Sequence, residues 1–310
     1  MKLFKSLILT LTILVFTTSL IFCQDSVKQE TIKLIPSGEV VGLNIELNNP
    51  YVYQILSEDA KDLEYGDIIL SVKYNLKKVK SVDKINEIMK LKNKDIIVQF
   101  SREGKNYTKK ITSDQLRMYI LKENISGIGT ITAINKKGEF IGISHSIKMA
   151  NRVVEFDECE IFETSYVQEI KSYKNRIGSL IANITDKQIG KVYSMGEYGV
   201  KGKYDNFKYS NKKSLEISKP RKGKAYIYCK TPITNELKLH EIEITKVSKK
   251  YSQIKIIDEN LIKYRGGAVV GMSGSPIIQD NKIVGGLRSI VVKNPTKGYI
   301  ANIHSMLYDN

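Results

Sequence analysis

The chain has 310 residues, of which 49 are Lys or Arg and 33 are Asp or Glu, so its formal net charge is +16. Hydrophobic residues make up 42% and charged residues 26%, a composition that excludes wholesale disorder and a multi-span membrane protein. The length is sufficient for two domains. Three cysteines match no metal-ligand spacing and are too few for a disulfide framework, which leaves one bridge at most, between Cys159 and Cys229.

The first 24 residues form a segment of their own. Lys2 and Lys5 precede an uncharged stretch, residues 6–24, that is rich in Leu, Ile, Val, Phe and Thr. This is the pattern of an export signal, and the stretch is also close to the ~20 residues that span a bilayer. The segment is therefore either a removed signal peptide or a retained membrane anchor. Both alternatives predict that the rest of the chain works outside the cytoplasm.

Residues 31–112 are predicted to form a small mixed α+β domain. Runs of apolar and β-branched residues between turn signals predict strands at residues 39–45, 52–55, 67–72, 95–100 and 105–111. The last two strands are expected to form a hairpin around Glu103 and Gly104. Residues 82–91 carry apolar side chains at helical spacing, with Ser81 placed as the N-cap.

This first domain resembles a PDZ domain over its whole length. Val41-Gly42-Leu43 is similar to the carboxylate-binding loop of that family, and Gly66-Asp67 is similar to its Gly-Asp turn. The resemblance implies that backbone N–H groups of the loop bind the terminal carboxylate of a peptide ligand, which adds as a strand to an exposed sheet edge. The alternative is a small domain that only spaces its neighbour.

Residues 124–310 are predicted to be all-β, as a barrel pair or a sandwich, because short strands punctuated by glycine follow one another with almost no helical periodicity. The clearest strands are at residues 129–134, 139–143, 225–228, 237–247, 253–257, 275–278 and 282–292. Residues 201–224 contain nine basic and two acidic residues with interleaved aromatic side chains. We expect a flexible, solvated insertion there, with contact to an anionic membrane surface as the next interpretation. No nucleic-acid partner is expected for an exported chain without a nucleic-acid-binding motif.

A serine lies between two glycines near the end of this segment, in the run Gly271-Met272-Ser273-Gly274-Ser275-Pro276. The glycines let the backbone approach a reacting carbonyl, so that the N–H groups of Gly271 and Ser273 can form an oxyanion hole. An ordinary turn between strands is the alternative. An α/β-hydrolase is excluded, because its Gly-x-Ser-x-Gly elbow is absent and the 37 residues that remain are too few for its later Asp and His.

A serine nucleophile needs a base, and the chain has three histidines, His145, His240 and His304. His145 follows the strand at residues 139–143, a position from which an imidazole ring can face a cleft, although a structural role is the alternative for any of the three. Asp258 stands 15 residues before Ser273 at the end of a strand. It is the candidate for orienting the base, with an ordinary turn or helix cap as the alternative.

Separate blocks of the chain resemble the SpoIVB peptidases, the stage IV sporulation serine proteases of endospore-forming bacteria. The similar blocks are residues 127–147, 254–258, 266–280 and 294–299. The resemblance implies a PDZ domain followed by a chymotrypsin-like double-barrel protease that needs no metal or organic cofactor. It implies His145 as general base, Asp258 as its orienting carboxylate and Ser273 as nucleophile. Ser144 and Ser146 stand where the family usually has glycines, and Arg288-Ser289 stands where it usually has Thr-His.

The same resemblance implies a location and a substrate. The protein is expected between the forespore and mother-cell membranes, where it would cleave a membrane-bound regulator of an intramembrane protease and also itself. An exported serine endopeptidase with these partners is the leading interpretation. The alternative, from a different class, is a catalytically silent PDZ adaptor that binds protein C-termini.

The N-terminal segment gives a prediction about location. A reporter fused directly after Gln24 should be active only on the outer side of the cytoplasmic membrane, because the preceding residues direct export. A matched fusion that lacks residues 2–24 should report from the cytoplasm. Cytoplasmic activity of the first fusion would show that the segment is not an export signal.

Overall fold

A computed structural model describes residues 31–143, 145, 148–149, 152–153, 159–208, 212–231, 234 and 236–309. The predicted export segment lies outside these residues. The strands are β1 Lys33–Pro36, β2 Val40–Ile55, β3 Ile68–Tyr74, β4 Lys77–Val79, β5 Asp95–Arg102, β6 Lys105–Thr112, β7 Tyr119–Ile134, β8 Glu139–Gly142, β9 Lys148–Met149, β10 Arg152–Val153, β11 Cys159–Ile170, β12 Ser179–Met195, β13 Val200–Tyr204, β14 Leu215–Glu216, β15 Gly223–Lys230, β16 Leu237–Lys246, β17 Tyr251–Ile256, β18 Pro276–Gln279, β19 Lys282–Val291 and β20 Asn294–Asn302. The helices are α1 Val82–Met89, α2 Ser113–Leu116 and α3 Ile303–Tyr308, with one π-helical turn at Leu261–Arg265.

Six antiparallel strands close a first barrel. The strand β2 pairs with β7 and β11, and the ring is completed by the pairs β7–β8, β8–β13, β13–β12 and β12–β11. Alternate side chains of these strands point inward, so that Val41, Ile131, Phe140 and Ile161 form a buried cluster. Because β8 ends at Gly142, the chain leaves the barrel three residues before His145.

A second closed barrel follows, with the strand order β15-β16-β17-β20-β19-β18. Its core contains the fully buried side chains of Ile227, Ile242, Val284 and Ile300. Between β17 and β18 the chain makes the π-helical turn and then a loop, residues 266–275, which carries the serine motif. Val269 and Met272 of this loop are buried in the same core, so the loop is held against the barrel. The predicted mainly-β fold with two barrels is confirmed.

A small α+β lobe, residues 51–122, begins with the end of β2 and closes with the start of β7. The apolar face of α1, formed by Ile85, Ile88 and Met89, packs on strands of the lobe. The helix predicted here is observed, but Ser81 makes no side-chain cap, and the Glu123 carboxylate accepts the Val82 N–H at 3.0 Å instead. The predicted β5–β6 hairpin is also observed.

The structure contradicts the predicted peptide-binding loop, Val41-Gly42-Leu43. Gly42 lies inside β2 and pairs with Ile128 of β7 on one side and Phe162 of β11 on the other. A peptide strand can add only to an open sheet edge, and both edges are occupied here. The predicted domain boundary also differs, because β2 is one 16-residue strand that serves the first barrel and then the lobe. The alternative function, a catalytically silent PDZ adaptor that binds protein C-termini through this loop, is therefore not supported.

The basic segment, residues 201–224, is not a flexible insertion in the part that the structure describes. It starts within β13, includes β14 and ends in β15, and only residues 209–211 of it lie outside the described chain. Tyr204 packs against Phe140 of the barrel core and against Phe207, with ring centroids 5.3 and 5.9 Å apart. Aromatic residues among the lysines thus serve packing, a role that charge counting cannot show.

Cys159 and Cys229 are both free, so the bridge that the sequence left open is not formed. Cys159 lies in the first barrel and Cys229 in the second, and both side chains are buried. Burial raises the pKa of each thiol to about 11, which keeps both protonated and unreactive at neutral pH.

Two glycines of the first barrel give a matched test of this packing. A Cβ at Gly42 would lie 2.5 Å from Cγ2 of Ile184, whereas a Cβ at Gly127 would meet nothing within 4 Å. Gly42→Val should therefore lower the free energy of unfolding by about 1–3 kcal/mol through overpacking, while Gly127→Val should be neutral or slightly stabilising. Denaturant unfolding of both variants measures this. Equal stability of the two would contradict the placement of Gly42.

Candidate active site

The loop that carries Ser273 is bound to β7 of the other barrel. The Thr130 hydroxyl donates to the Gly271 carbonyl and the Thr132 hydroxyl to the Gly274 carbonyl, each at 2.7 Å. The backbone N–H of Thr130 also donates to the Ser273 carbonyl at 3.3 Å. Because both threonines are buried, these bonds are not exchanged with water, and they fix the serine relative to the first barrel.

The predicted oxyanion hole lies beside glycines with unusual backbone conformations. Gly271 and Gly274 have φ values of 95° and 104°, and a Cβ at Gly274 would lie 1.9 Å from the Thr130 carbonyl oxygen. Only glycine fits this conformation and this close approach. Within the described chain the N–H groups of Gly271 and Ser273 donate to no backbone carbonyl. Both are therefore available to a developing oxyanion.

The structure brings His145 and Ser273 together. Nε2 of His145, which follows β8 of the first barrel, directly contacts Oγ of Ser273, which belongs to the second. The Ser273 hydroxyl also lies 2.9 Å from the Arg288 carbonyl oxygen. A hydroxyl has one proton, so it donates either to the imidazole, which activates the oxygen, or to the carbonyl, which does not.

The surroundings of His145 favour its neutral form. Desolvation in the cleft lowers the pKa of the ring below its ordinary value, and the nearby Arg288 guanidinium lowers this pKa further. A neutral imidazole can accept the serine proton, so the ring is ready to act as a base at neutral pH. No carboxylate of the described residues contacts the His145 ring.

Asp258 does not reach His145, which differs from the predicted role. Its Oδ2 lies 3.3 Å from Nδ1 of His240, and its Oδ1 accepts the Leu261 N–H at 2.8 Å. The cap that the sequence offered as the alternative is thus present. His240, on β16, is buried, and its partner is Asp258. His304 lies in α3, where its ring stacks on Tyr308.

An apolar cleft with a volume of about 740 Å³ extends from the interior of the first barrel to Ser273, and residues of the first barrel form most of its lining. Val270, Ile290 and Val292 line it on the side of the second barrel, and Val270 and Val292 are more than half exposed. No acidic side chain of the described residues lines this cleft. Its chemistry suits apolar groups rather than the basic side chains that an acidic pocket would bind.

Three contributors to the site were not identified from the sequence. Thr130 and Thr132 anchor the serine loop, and Arg288 supplies the charge beside His145. The alternation of threonine in Thr130-Ile131-Thr132 places both hydroxyls on one face of a strand, which was a usable signal. Arg288 had no such signal, because its proximity to His145 depends on the pairing of the barrels.

Two six-stranded barrels that bring a histidine of one into contact with a serine of the other define a chymotrypsin-like serine protease. The model of the SpoIVB peptidase S55 family matches residues 112–307, which is more than half of the chain. The chain belongs to this family and is a serine peptidase. No curated protein matches it. Among the described residues, no helix is both long and apolar enough to cross a bilayer.

Solved structures of other proteases are similar to the chain at low identity. The active form of the Rv3671c protease from M. tuberculosis is 10% identical, with a TM-score of 0.35, covering 58% of this chain and 70% of that chain. A human pathogenic astrovirus serine protease is 13% identical, with a TM-score of 0.34, covering 57% of this chain and 83% of that chain. The HtrA-type protease AlgW with a decapeptide is 8% identical, with a TM-score of 0.36, covering 88% of this chain and 63% of that chain.

The charge of Arg288 gives a prediction about pH dependence. The reaction of Ser273 with a fluorophosphonate needs neutral His145, so its rate should fall as the pH drops through a pKa below the ordinary ~6.5. Arg288→Met removes the positive charge and should move this midpoint to higher pH. Arg288→Lys keeps the charge and serves as the matched control. A midpoint that stays or falls in Arg288→Met would contradict the role of Arg288.

Proposed function

We propose that the protein is an exported serine endopeptidase that cleaves peptide bonds through an acyl-enzyme at Ser273. The observation that carries this proposal is the contact of His145 Nε2 with Ser273 Oγ, next to the Gly271 and Ser273 N–H groups, which donate to no backbone carbonyl of the described residues. A nucleophile, a base and oxyanion donors at one point are the minimum set for acyl transfer.

The chemical steps follow from these positions. His145 takes the hydroxyl proton as Oγ of Ser273 attacks the scissile carbonyl carbon, and the Gly271 and Ser273 N–H groups bind the resulting oxyanion. The imidazolium then gives its proton to the leaving amine, which departs and leaves a serine ester. Water attacks this ester while His145 again takes a proton, and the acid product leaves with the free hydroxyl restored.

The apolar cleft supports a preference among substrates. Val270, Ile290 and Val292 would surround a side chain next to the scissile bond, and burial of an apolar side chain there is favourable by roughly 1.5–3 kcal/mol. A basic side chain would lose hydration without gaining an acidic partner. We therefore expect cleavage next to large apolar residues.

Membership of the SpoIVB peptidase family supports a role in sporulation signalling. In that role the protein acts outside the cytoplasm, between the forespore and mother-cell membranes. It cleaves a membrane-bound regulator of an intramembrane protease, and it also cleaves itself. The N-terminal apolar segment supports this location, either as a signal peptide or as an anchor.

Covalent labelling of the full chain with a fluorophosphonate tests the proposed chemistry. The probe should modify Ser273 in the parent, and Ser273→Ala should abolish the modification. His145→Ala should slow the modification strongly. In peptide hydrolysis it should remove nearly the whole catalytic contribution, ~10⁶-fold in related systems, and the double variant should hydrolyse no more slowly than either single variant, because the groups act as a unit. His304→Ala, on α3, is the matched control and should label like the parent.

Mass spectrometry of the same samples before and after incubation tests the peptidase activity. Fragments that arise by cleavage beside apolar residues are expected in the parent and not in Ser273→Ala. An unlabelled parent, or labelling that persists in Ser273→Ala, would contradict the proposed function. Fragments that end mainly at basic residues would contradict the proposed substrate preference alone.

A further inference from the structure

A histidine–carboxylate pair, separate from the contact of His145 with Ser273, lies at the start of the segment that leads to the serine loop. His240, only 5% exposed, reaches Asp258 with its Nδ1 at 3.3 Å. The other oxygen of the Asp258 carboxylate accepts the Leu261 N–H at 2.8 Å, where the π-helical turn begins. The carboxylate thus joins a strand of the second barrel to the segment that leads to Ser273.

The protonation of this pair follows from its burial. Nε2 of His240 is buried and has no partner within the described chain, so a proton on this nitrogen would be unsatisfied. The single proton of the neutral ring therefore lies on Nδ1 and is donated to Asp258. Burial lowers the pKa of His240, and Arg265 and Lys238 lower it too, against the opposite effect of Asp258. The pair is a buried contact between the imidazole and the carboxylate.

The segment that begins at Asp258 is held again at its other end. Arg265, 2% exposed, forms an ion pair with Glu169 and donates to the Lys230 carbonyl at 2.8 Å. Its Nη1 lies 3.5 Å from Sδ of Met272, the residue directly before Ser273. The π-helical turn is therefore fixed at both ends by buried polar contacts, and the second of these contacts touches the serine loop.

We propose that Asp258 and His240 form a positioning pair for the serine loop, so that Asp258 acts on the nucleophile through the π-helical turn and not on His145. This inference rests on the proposed function. It assigns His240, which no sequence pattern placed near the chemistry, a role equal to that of Asp258. Both oxygens of the Asp258 carboxylate are used in this pair, one toward His240 and one toward the Leu261 N–H.

The rate of fluorophosphonate labelling, measured against pH in the full chain, separates the two roles of Asp258. A carboxylate that orients His145 would stabilise the imidazolium, so Asp258→Asn would lower the midpoint of the acid limb. A positioning pair predicts a lower rate, by roughly 10- to 100-fold, with the midpoint unchanged. His240→Leu should have the same effect as Asp258→Asn, and the double variant should be no worse than either.

His240→Asn provides a rescue variant. The asparagine amide can place an N–H group close to the position of Nδ1, so this variant should recover most of the lost rate, whereas His240→Leu should not. His304→Leu is the matched control for the loss of an imidazole elsewhere. Amide hydrogen exchange is the second readout: residues 259–272 should exchange faster in His240→Leu than in His240→Asn, with the rest of the chain unchanged.

The outcomes that overturn the inference differ from those that overturn the function. Parental labelling and exchange in His240→Leu, or a midpoint that moves in Asp258→Asn, would refute the positioning pair while leaving the protease intact. An unlabelled parent would refute the proposed function, and the exchange measurement would still decide whether His240 and Asp258 hold the serine loop.

Discussion

The active site depends on the binding of one loop of the second barrel to one strand of the first. The hydroxyls of Thr130 and Thr132 are buried, so water does not replace them as hydrogen-bond donors. They bind the carbonyl groups of Gly271 and Gly274, on either side of Ser273. The base belongs to the first barrel and the nucleophile to the second, so their contact exists only while the two barrels are docked. A misplacement of about 1 Å at such a contact can cost ~100-fold in rate, which makes this docking the constraint on which catalysis rests.

The sequence does not distinguish His145 from His240, but their side chains have opposite environments in the structure. His145 faces a cleft, next to a hydroxyl and a guanidinium, and its lowered pKa keeps it able to accept a proton. His240 is buried in the second barrel, where Nδ1 contacts Asp258 and Nε2 has no partner among the described residues. Burial and partners, rather than residue type, separate a ring that can exchange protons from one that holds a segment in place.

The lobe is joined to the protease by continuous strands. Residues 40–46 of β2 pair within the first barrel, and residues 51–55 of the same strand pair within the lobe, with Pro50 at the break between them. The partner strand β7 is equally long and carries Thr130 near its other end. The lobe and the strand that binds the serine loop are therefore parts of the same pair of continuous strands.

Local patterns in the sequence determined the elements and the nucleophile. Apolar and β-branched runs between turn signals predicted many strands but not β11 and β12. Helical spacing predicted α1, and glycines on both sides of Ser273 indicated a loop whose backbone can approach a substrate. The tertiary structure decided which residues and strands contact one another. Whether Asp258 meets His145 or His240, and whether Gly42 lies at an open edge or between two strands, depends on the register of strands far apart in the chain. That register is set by packing of both barrels together, which no local pattern contains.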